Sequence, residues 1–365
     1  MFSITWFVGR TKATNGPCGT LLDRFREPVQ RNPFIATVQQ TIDEAITPFT
    51  DVEDDEPFFF VHVDSDAPDG GDGTFENPFN DPNDVNSGSS EGDIVLVHAG
   101  SVLSGNFIAQ DDQRFLGEGL DPNGILIEHQ INTNERGLVT LPETEPGAFT
   151  LDAPTITGVP SGGDPNDPNA ALAVFELADN NEVNNFTING NGATSDAAVN
   201  ANGVQSPQLA NLDINGPFFN GVVFTDVAGN PLIENSVAIE GTLDRGLWIN
   251  GGGGIVGANA MVTNTAGRSV VVENRDAGSV TFGIINDTGE GILARNNSGG
   301  TITFSSRAEV DVDGTDQAVT LSNNGGATIT FQELQAMSTD GTTFAVNGGG
   351  TITVNNSQGD DGSDI

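Results

Sequence analysis

The chain has 365 residues, of which 51 are acidic and 12 are basic, so its formal net charge at neutral pH is −39. Charge of that sign repels nucleic-acid phosphates and anionic lipid head groups, which argues against nucleic acid or a membrane surface as the partner. The single cysteine, Cys18, excludes an internal disulfide bond and a multi-thiolate zinc site, and no apolar run is long enough for a transmembrane helix.

The composition indicates an all-β protein. Glycine, with 47 residues, is about twice as frequent as in an average protein, and short β-branched runs are separated by Gly, Asn and Asp. Clustered carboxylates are hard oxygen ligands, so the acidity suits Ca²⁺ as a cofactor. A solvated acidic coat, typical of secreted or salt-adapted proteins, is the simpler explanation.

The first 35 residues differ in charge from the rest of the chain. They hold five of the twelve basic residues and two acids, whereas no Lys or Arg occurs between Asn32 and Gln113. This shift predicts a separate N-terminal segment, residues 1–35, followed by a linker over residues 36–56.

Three motifs in this segment resemble a known family: Phe2-Ser-Ile-Thr-Trp6, Cys18-Gly-Thr-Leu-Leu-Asp23 and Glu27-Pro-Val-Gln-Arg-Asn32. They resemble the end of the outer-membrane barrel in intimin-like inverse autotransporters, where the barrel precedes an exported passenger. The resemblance implies a passenger located at the cell surface or outside the cell, with most of the barrel outside this sequence. It also implies that the protein meets a membrane only through that barrel.

A second resemblance concerns the fold. A strand over Phe58–Asp64, a turn with the motifs Gly-Asp-Gly-Thr and Asn-Pro-Phe over Asp69–Phe79, and a strand over Gly92–His98 follow one another. This order resembles the opening coils of right-handed parallel β-helices in the pectate-lyase-like superfamily. In those proteins the segment between the turn and the second strand often caps the core, but residues 80–91 are polar here and favour a loop.

A repeated phrase near the C terminus, Gly-Thr-Ile-Thr-Phe and its variants, gives the period. Its matched apolar residues Val280, Ile302, Ile329 and Ile352 are 22, 27 and 23 residues apart. A period in the low twenties indicates a solenoid, in which Gly and Asn form tight corners and stacked Asn amides bond between coils.

The sequence therefore predicts an all-β fold, a single-stranded right-handed parallel β-helix solenoid with a short N-terminal extension. The solenoid is expected over residues 57–355, with loops projecting from it over 121–169 and a disordered tail over 356–365.

Four acids in the periodic part are the best candidates to face a glycan from stacked coils: Glu176, Asp213, Glu234 and Glu240. Glycosidases need two carboxylates fixed about 5–10 Å apart in a groove. The pair Asp111 and Asp112 superficially resembles the paired aspartates of polygalacturonase-type enzymes. The accompanying His and Arg-x-Lys motifs are missing, so a turn explains the pair better and no catalytic residue is predicted.

Three arginines, Arg245, Arg268 and Arg295, recur at spacings of 23 and 27 residues and are predicted to line one face. Such a stack suits an anionic-glycan groove. Neutralisation by nearby acids is the simpler interpretation, and those acids are Asp244, Glu273 and Asp276.

Two kinds of metal site are conceivable. The turn containing Asp311, Asp313 and Asp316 has a spacing that suits Ca²⁺, and so has the acidic run from Asp64 to Asp72. Neither segment is an EF-hand, and a solvated acidic turn is the simpler interpretation of both. His62 and His98 would approach each other if their strands pair in adjacent coils. Zinc usually needs three or four ligands, so ordinary strand histidines are favoured.

These patterns favour a non-enzymatic cell-surface or secreted β-helix module. It would be a passenger or stalk for adhesion or glycan binding, with a glycan or the surface of a host or neighbouring cell as its partner. The alternative is a polysaccharide-active β-helix enzyme, either a glycoside hydrolase or a lyase.

Overall fold

The computed structural model describes residues 58–119, 124–132, 135–158, 163–167, 169, 172–190, 196–263, 265–312 and 316–358. All of them belong to one unit, Pro48–Ile365. The predicted N-terminal segment and linker lie outside the described residues, as do residues 359–365 of the predicted tail. Within the described part of the chain, no helix is long and apolar enough to span a membrane.

The described residues form a parallel β-solenoid, as the sequence period predicts. Successive coils contribute strands to three stacks, named here the first, second and third sheets. The strands that lie entirely in the first sheet are β1 Phe60–Val63, β2 Ile94–Val97, β5 Arg114–Gly117, β14 Leu232–Ile233, β17 Ile255–Ala258, β20 Ser279–Phe282 and β27 Thr351–Val354. The strands that lie entirely in the second sheet are β3 Val102–Ser104, β8 Thr155–Thr157, β15 Ala238–Glu240, β18 Met261–Thr263, β21 Ile285–Asp287 and β28 Ser357–Gln358.

Some longer strands pass from the first sheet into the second without interruption. They are β10 Glu182–Asn189, β12 Gln208–Asn215, β23 Thr301–Val312 and β25 Thr328–Ser338. These strands join the first and second sheets into one sheet of 17 described strands. Strand β28 lies just beyond residue 355, the predicted end of the solenoid, and pairs with β25.

The third sheet has nine described strands and closes each coil. They are β4 Phe107–Ile108, β9 Ala173–Leu177, β11 Ala197–Asn202, β13 Asn220–Thr225, β16 Arg245–Asn250, β19 Arg268–Glu273, β22 Gly291–Arg295, β24 Val319–Ser322 and β26 Phe344–Asn347.

The core is built by residues that repeat at the same register in successive coils. Val280, Ile302, Ile329 and Ile352 are in-register partners on the first sheet, which confirms that the repeated phrase is a packing unit. The adjacent inward position stacks the rings of Phe282, Phe304 and Phe331, with centroids 4.9 and 4.5 Å apart. Such stacks add to area burial because offset aromatic faces attract.

The corner after the third sheet repeats one backbone conformation. At seven successive in-register positions φ is positive, between 50° and 86°, and the residues there are Gly203, Asp226, Gly251, Asn274, Asn296, Asn323 and Gly348. Gly, Asn and Asp tolerate this left-handed region better than other residues do. The amide of Asn323 also donates to the side-chain oxygen of Asn296, at 3.2 Å, as the predicted amide stacking requires.

The same corner holds a fully buried arginine. The guanidinium of Arg275 donates to the carbonyl oxygens of Gly251 at 2.9 Å, Gly254 at 2.8 Å and Ala277 at 3.3 Å. Its backbone N–H donates to the side chain of Asn297, so Arg275 connects the coils on both sides of its own. Burial lowers the pKa of Arg275.

The segment 80–91 is not the loop that its polarity favours. Helix α1, Pro82–Gly88, begins with Asp81 as its N-cap and buries Val85 in the core. The side chain of Asn86 donates to the carbonyl of Asn106 and accepts from the N–H of Ile108, and so covers the free edge of β4. The prediction failed because one buried valine and a capping aspartate suffice for a two-turn helix, a pattern too short to show a period.

An antiparallel hairpin lies within the region that was predicted to project as loops. It consists of β6 Leu126–Asn132 and β7 Glu135–Thr140, and a short 3₁₀ helix, Ala148–Thr150, follows it. Ile127 and Leu141 of this region pack on outward-facing residues of the first sheet, Ile94, Leu96 and Leu116. The first sheet is therefore apolar on both faces in its N-terminal coils.

Candidate functional site

A groove of about 740 Å³ lies where the first sheet turns into the second and is named here the corner groove. It crosses four successive coils. Its polar lining residues are Glu234, Asn235, Ser236, Asn259, Ser305 and Ser306. Two aliphatic side chains, Met261 and Ile284, are 42% and 50% exposed on its wall.

Differences in turn length shape this groove. Four residues, 234–237, connect β14 to β15, whereas two residues connect β17 to β18 and two connect β20 to β21. Strand β23 passes from one sheet to the other without a break, apart from a register shift between Phe304 and Arg307. The longest of these turns therefore supplies half of the polar lining residues, and the bulge in β23 supplies Ser305 and Ser306.

Hydrogen bonds hold part of the polar lining in place. The hydroxyl of Ser236 accepts from the N–H of Asn211 at 2.9 Å and lies 3.5 Å from the carboxylate of Glu234. The hydroxyl of Ser305 donates to the carbonyl of Phe282 at 2.8 Å. The groove therefore offers positioned hydroxyl, amide and carboxylate groups beside apolar side chains, and Glu234 is the one ionisable residue in its described lining.

The four acids predicted to face a glycan do not come together. Glu234 lines the corner groove, and Asp213 and Glu240 are exposed on the second sheet. Asp213 pairs with Ala238 and Glu240 with Asn215, so they occupy different columns. Glu176 lies on the third sheet, which separates it from the other three.

Glu176 is nevertheless chemically distinctive. Burial raises the pKa of its carboxyl group, and the nearby Asp196 raises it further. The carboxylate accepts from the side-chain amide of Asn200 at 2.8 Å and from the N–H of Ala173. A carboxyl with a raised pKa is what a general acid requires, although structural carboxyls in similar surroundings behave in the same way.

The predicted column of three arginines is only partly formed. Arg245 and Arg268 are direct partners on β16 and β19, but Arg295 pairs in register with Glu273 and lies in another column. The prediction was wrong for Arg295 because paired residues of β19 and β22 are only 22 or 23 positions apart in the sequence, so a spacing of 27 places Arg295 beyond the column of Arg268.

Each of these arginines has an acidic partner. Arg245 contacts Asp244 at 2.6 Å, Arg268 contacts Glu290 at 3.4 Å, and Arg295 pairs with Glu273. The predicted neutralisation by Asp244 and Glu273 is confirmed. Arg245 also lies over the ring of Trp248, with its guanidinium carbon 4.1 Å from the ring centroid. This pairing leaves little uncompensated positive charge for an anionic glycan.

The predicted Ca²⁺ turn is described in part. Asp311 and Asp316 are exposed, and Asp313 lies outside the described residues. Burial lowers the pKa of the half-buried Arg268, and the carboxylate of Asp316 opposes that shift, so Asp316 already interacts with one cation. No group of three or more His, Cys, Asp or Glu side chains in the described ranges could hold a metal ion. Calcium binding here stays a prediction.

The acidic run after β1 uses its carboxylates within its own turn. Asp64 accepts from the N–H of Asp66 at 2.9 Å, Asp69 accepts from the amide of Asn80 at 2.8 Å, and Asp72 accepts from the hydroxyl of Thr74 at 2.7 Å. These bonds are typical of a solvated acidic turn.

The two strand histidines do meet. Strands β1 and β2 are paired in adjacent coils, and Nδ1 of His62 lies 3.0 Å from Nε2 of His98. His98 also lies 3.7 Å from the carboxylate of Asp64. An apolar pocket of about 440 Å³, lined by Phe60, Phe75 and others, reaches His62. Burial, together with His98, lowers the pKa of His62 to about 4.

No protein-family model matches this chain, and no curated protein matches its sequence. Two crystal structures of the GH136 lacto-N-biosidase from Eubacterium ramulus are similar over 81% of this chain and 68% of theirs. The selenomethionine derivative has 12% identity and a TM-score of 0.37, and the native protein has 11% identity and a TM-score of 0.23. Similarity at this level does not extend to activity.

Proposed function

We propose that this protein is a non-enzymatic glycan-binding module whose corner groove holds an uncharged oligosaccharide. The observation that carries the proposal is the lining of that groove, where amides, hydroxyls and one carboxylate lie beside exposed aliphatic side chains. Sugar rings present hydroxyl edges and apolar faces, and such a mixed surface complements both. Four coils at about 4.8 Å each give the groove room for an extended chain.

The charge of the protein selects the kind of glycan. With a net charge of −39, it repels uronates and other anionic sugars, and the arginines of the third sheet are already paired. A glycosidase also needs a second carboxylate across the scissile bond, and the described lining contains Glu234 alone. Binding without hydrolysis of a neutral glycan is therefore the function we assign to the groove. A passenger or stalk of this kind would use it for adhesion to a host or neighbouring cell.

One observation favours a second candidate. Glu176, with its raised pKa beside Asp196, could act as the acid of a polysaccharide-active enzyme on the third sheet. The two functions separate in one assay. A glycosidase releases new reducing ends from its substrate and loses that activity in Glu176→Gln, whereas a binding module releases none.

The test combines a glycan array with calorimetry on the glycans it identifies. Ile284→Arg places a long charged side chain in the groove without touching the core, and should weaken binding at least about tenfold, since a desolvated apolar contact is lost. Asn202→Arg adds the same charge at an exposed position of the third sheet and serves as the matched control. Equal affinities in the two variants, or no neutral glycan bound at all, would refute the proposal.

A further inference from the structure

The histidine pair joins two coils at one point of the first sheet. His62 lies on β1, and His98 follows β2 by one residue, directly opposite Asp64 when the register of the two strands is continued. The imidazole rings are nearly perpendicular, with an interplanar angle of 82° and centroids 5.3 Å apart. Two ring nitrogens therefore face each other across adjacent coils.

The separation of these nitrogens is close to that of two ligands of one metal ion. In a tetrahedral zinc site with Zn–N bonds of about 2.0–2.1 Å, two imidazole nitrogens are roughly 3.3 Å apart. The observed distance between Nδ1 of His62 and Nε2 of His98 is 3.0 Å. Conversion of this hydrogen-bonded pair into a chelating pair needs three changes: an opening of a few tenths of an ångström, rotation of both rings so that their lone pairs converge on one ion, and transfer of the bridging proton to the other nitrogen of its ring.

The surroundings favour a cation at this place. Asp64 lies 3.7 Å from Nδ1 of His98, which is the ring nitrogen that does not face His62. A carboxylate in that position commonly orients a metal-ligating histidine. Carboxylates of Glu76, Glu118 and Glu145 also act on the two rings. Metal ligation requires neutral imidazoles, and burial already lowers the pKa values of both histidines.

We propose that Nδ1 of His62 and Nε2 of His98 bind one divalent transition-metal ion with a preference for imidazole, with Zn²⁺ as the representative case. No third protein ligand is present among the described residues, so water fills the remaining positions. The apolar pocket that reaches His62 provides the entry path. This site shares no residue with the corner groove, so the metal-binding proposal can be tested independently of the proposed glycan binding.

The test exploits the small number of histidines in the chain. With three histidines present, His129→Gln is the matched control for His62→Gln and His98→Gln. Calorimetry with Zn²⁺ is run in excess Ca²⁺, which occupies surface carboxylates but competes poorly for imidazole. We expect one Zn²⁺ per chain, loss of binding in either His62→Gln or His98→Gln, no change in His129→Gln, and about tenfold weaker binding in Asp64→Asn.

Imidazole ¹⁵N resonances of the unmodified protein give an answer even where a variant fails to fold. Zn²⁺ should shift the resonances of His62 and His98 together and leave that of His129 unchanged. Binding that survives in both pair variants, disappears in excess Ca²⁺, or shifts no pair of imidazoles would overturn the proposal.

Discussion

Replacement of Arg275 by methionine should destabilise the solenoid by about 3–5 kcal/mol. The guanidinium is buried and donates to three carbonyl oxygens, two of them at 2.8 and 2.9 Å. Hydrogen bonds to a charged group contribute about 1.5–3 kcal/mol each, so the two short bonds alone account for about 3–6 kcal/mol. Methionine fills much of the volume but removes the guanidinium donor from the carbonyl of Gly251, and leaves the carbonyl of Gly254 with the N–H of Ser279 as its remaining donor.

Two further variants separate geometry from charge. Arg275→Lys keeps the charge, but a single ammonium nitrogen does not reproduce the two separated donors, so we expect a loss of about 1.5–3 kcal/mol. Arg307→Met is the matched surface control. The Arg307 side chain is 46% exposed in its pair with Glu309, so its removal should cost less than about 1 kcal/mol.

The assay is urea denaturation followed by tryptophan fluorescence. Trp248 is buried on β16, the strand that leads into Gly251, so it reports on the coil that Arg275 holds. A Trp6→Phe background leaves Trp248 as the single tryptophan of the chain. Different segments of a solenoid can unfold separately, so the fluorescence of Trp248, which reports on the coil next to Arg275, is a better measure of this effect than a signal averaged over the whole chain. If Arg275→Met and Arg275→Lys both stay within about 1 kcal/mol of the parent protein, the reasoning about buried carbonyls is refuted.

Three further predictions concern the core, the corner and the pH dependence. In the same denaturation assay, Phe304→Ala should lower the free energy of unfolding by about 4–5 kcal/mol because it leaves a cavity and removes two ring contacts. Phe304→Leu should lower it by about 1–2 kcal/mol. Equal losses in the two variants would show that the ring stack does not contribute to stability. Asn296→Val should lower the free energy of unfolding by about 1–2 kcal/mol because valine is strained at the positive φ of 57° found there. Asn296→Gly should change it by less than about 0.5 kcal/mol. Similar effects of the two variants would contradict the claim that this corner requires a left-handed backbone. Because the pKa of His62 is lowered to about 4 in the folded protein, the imidazole is protonated in the unfolded chain at a higher pH than in the folded one. The free energy of unfolding should therefore fall by roughly 1–2 kcal/mol as the pH drops from about 6.5 to 4, a range that allows for solvent screening of this part-exposed ring. Denaturation at several pH values should show a flatter profile for His62→Gln, and an unchanged slope would assign the pH dependence to other groups.

The fold could be predicted from the sequence because one signal repeats many times. The apolar positions that align Val280 with Ile302, Ile329 and Ile352 each carry the same information, so errors in any single coil matter little. Helix α1 had no such support. Its two buried residues, Pro82 and Val85, give no period, and the helix is stabilised by a tertiary contact that polarity does not reveal.

The sites were less predictable because function depends on side chains that come from different coils. Spacing placed Arg245, Arg268 and Arg295 in one column, but coil length varies, and the 22-residue step between β19 and β22 pairs Arg295 with Glu273 instead. The corner groove was missed since no motif marks it; its signal is the longer turn at residues 234–237. The contact of His62 with His98 followed from strand pairing, which the sequence suggested but did not determine.

The left-handed corner also bears on how such a chain can change its length in evolution. Asp226, Gly251, Asn274 and Asn296 share one register position and one backbone conformation, and each is followed by the start of a new coil. A deletion or duplication that runs from one of these residues to the next removes or adds a whole coil and rejoins equivalent backbone. The flanking coils then meet the same kind of neighbour as before. Recombination at this corner can therefore alter coil number in whole steps, while the groove between the other two sheets varies separately through its turns.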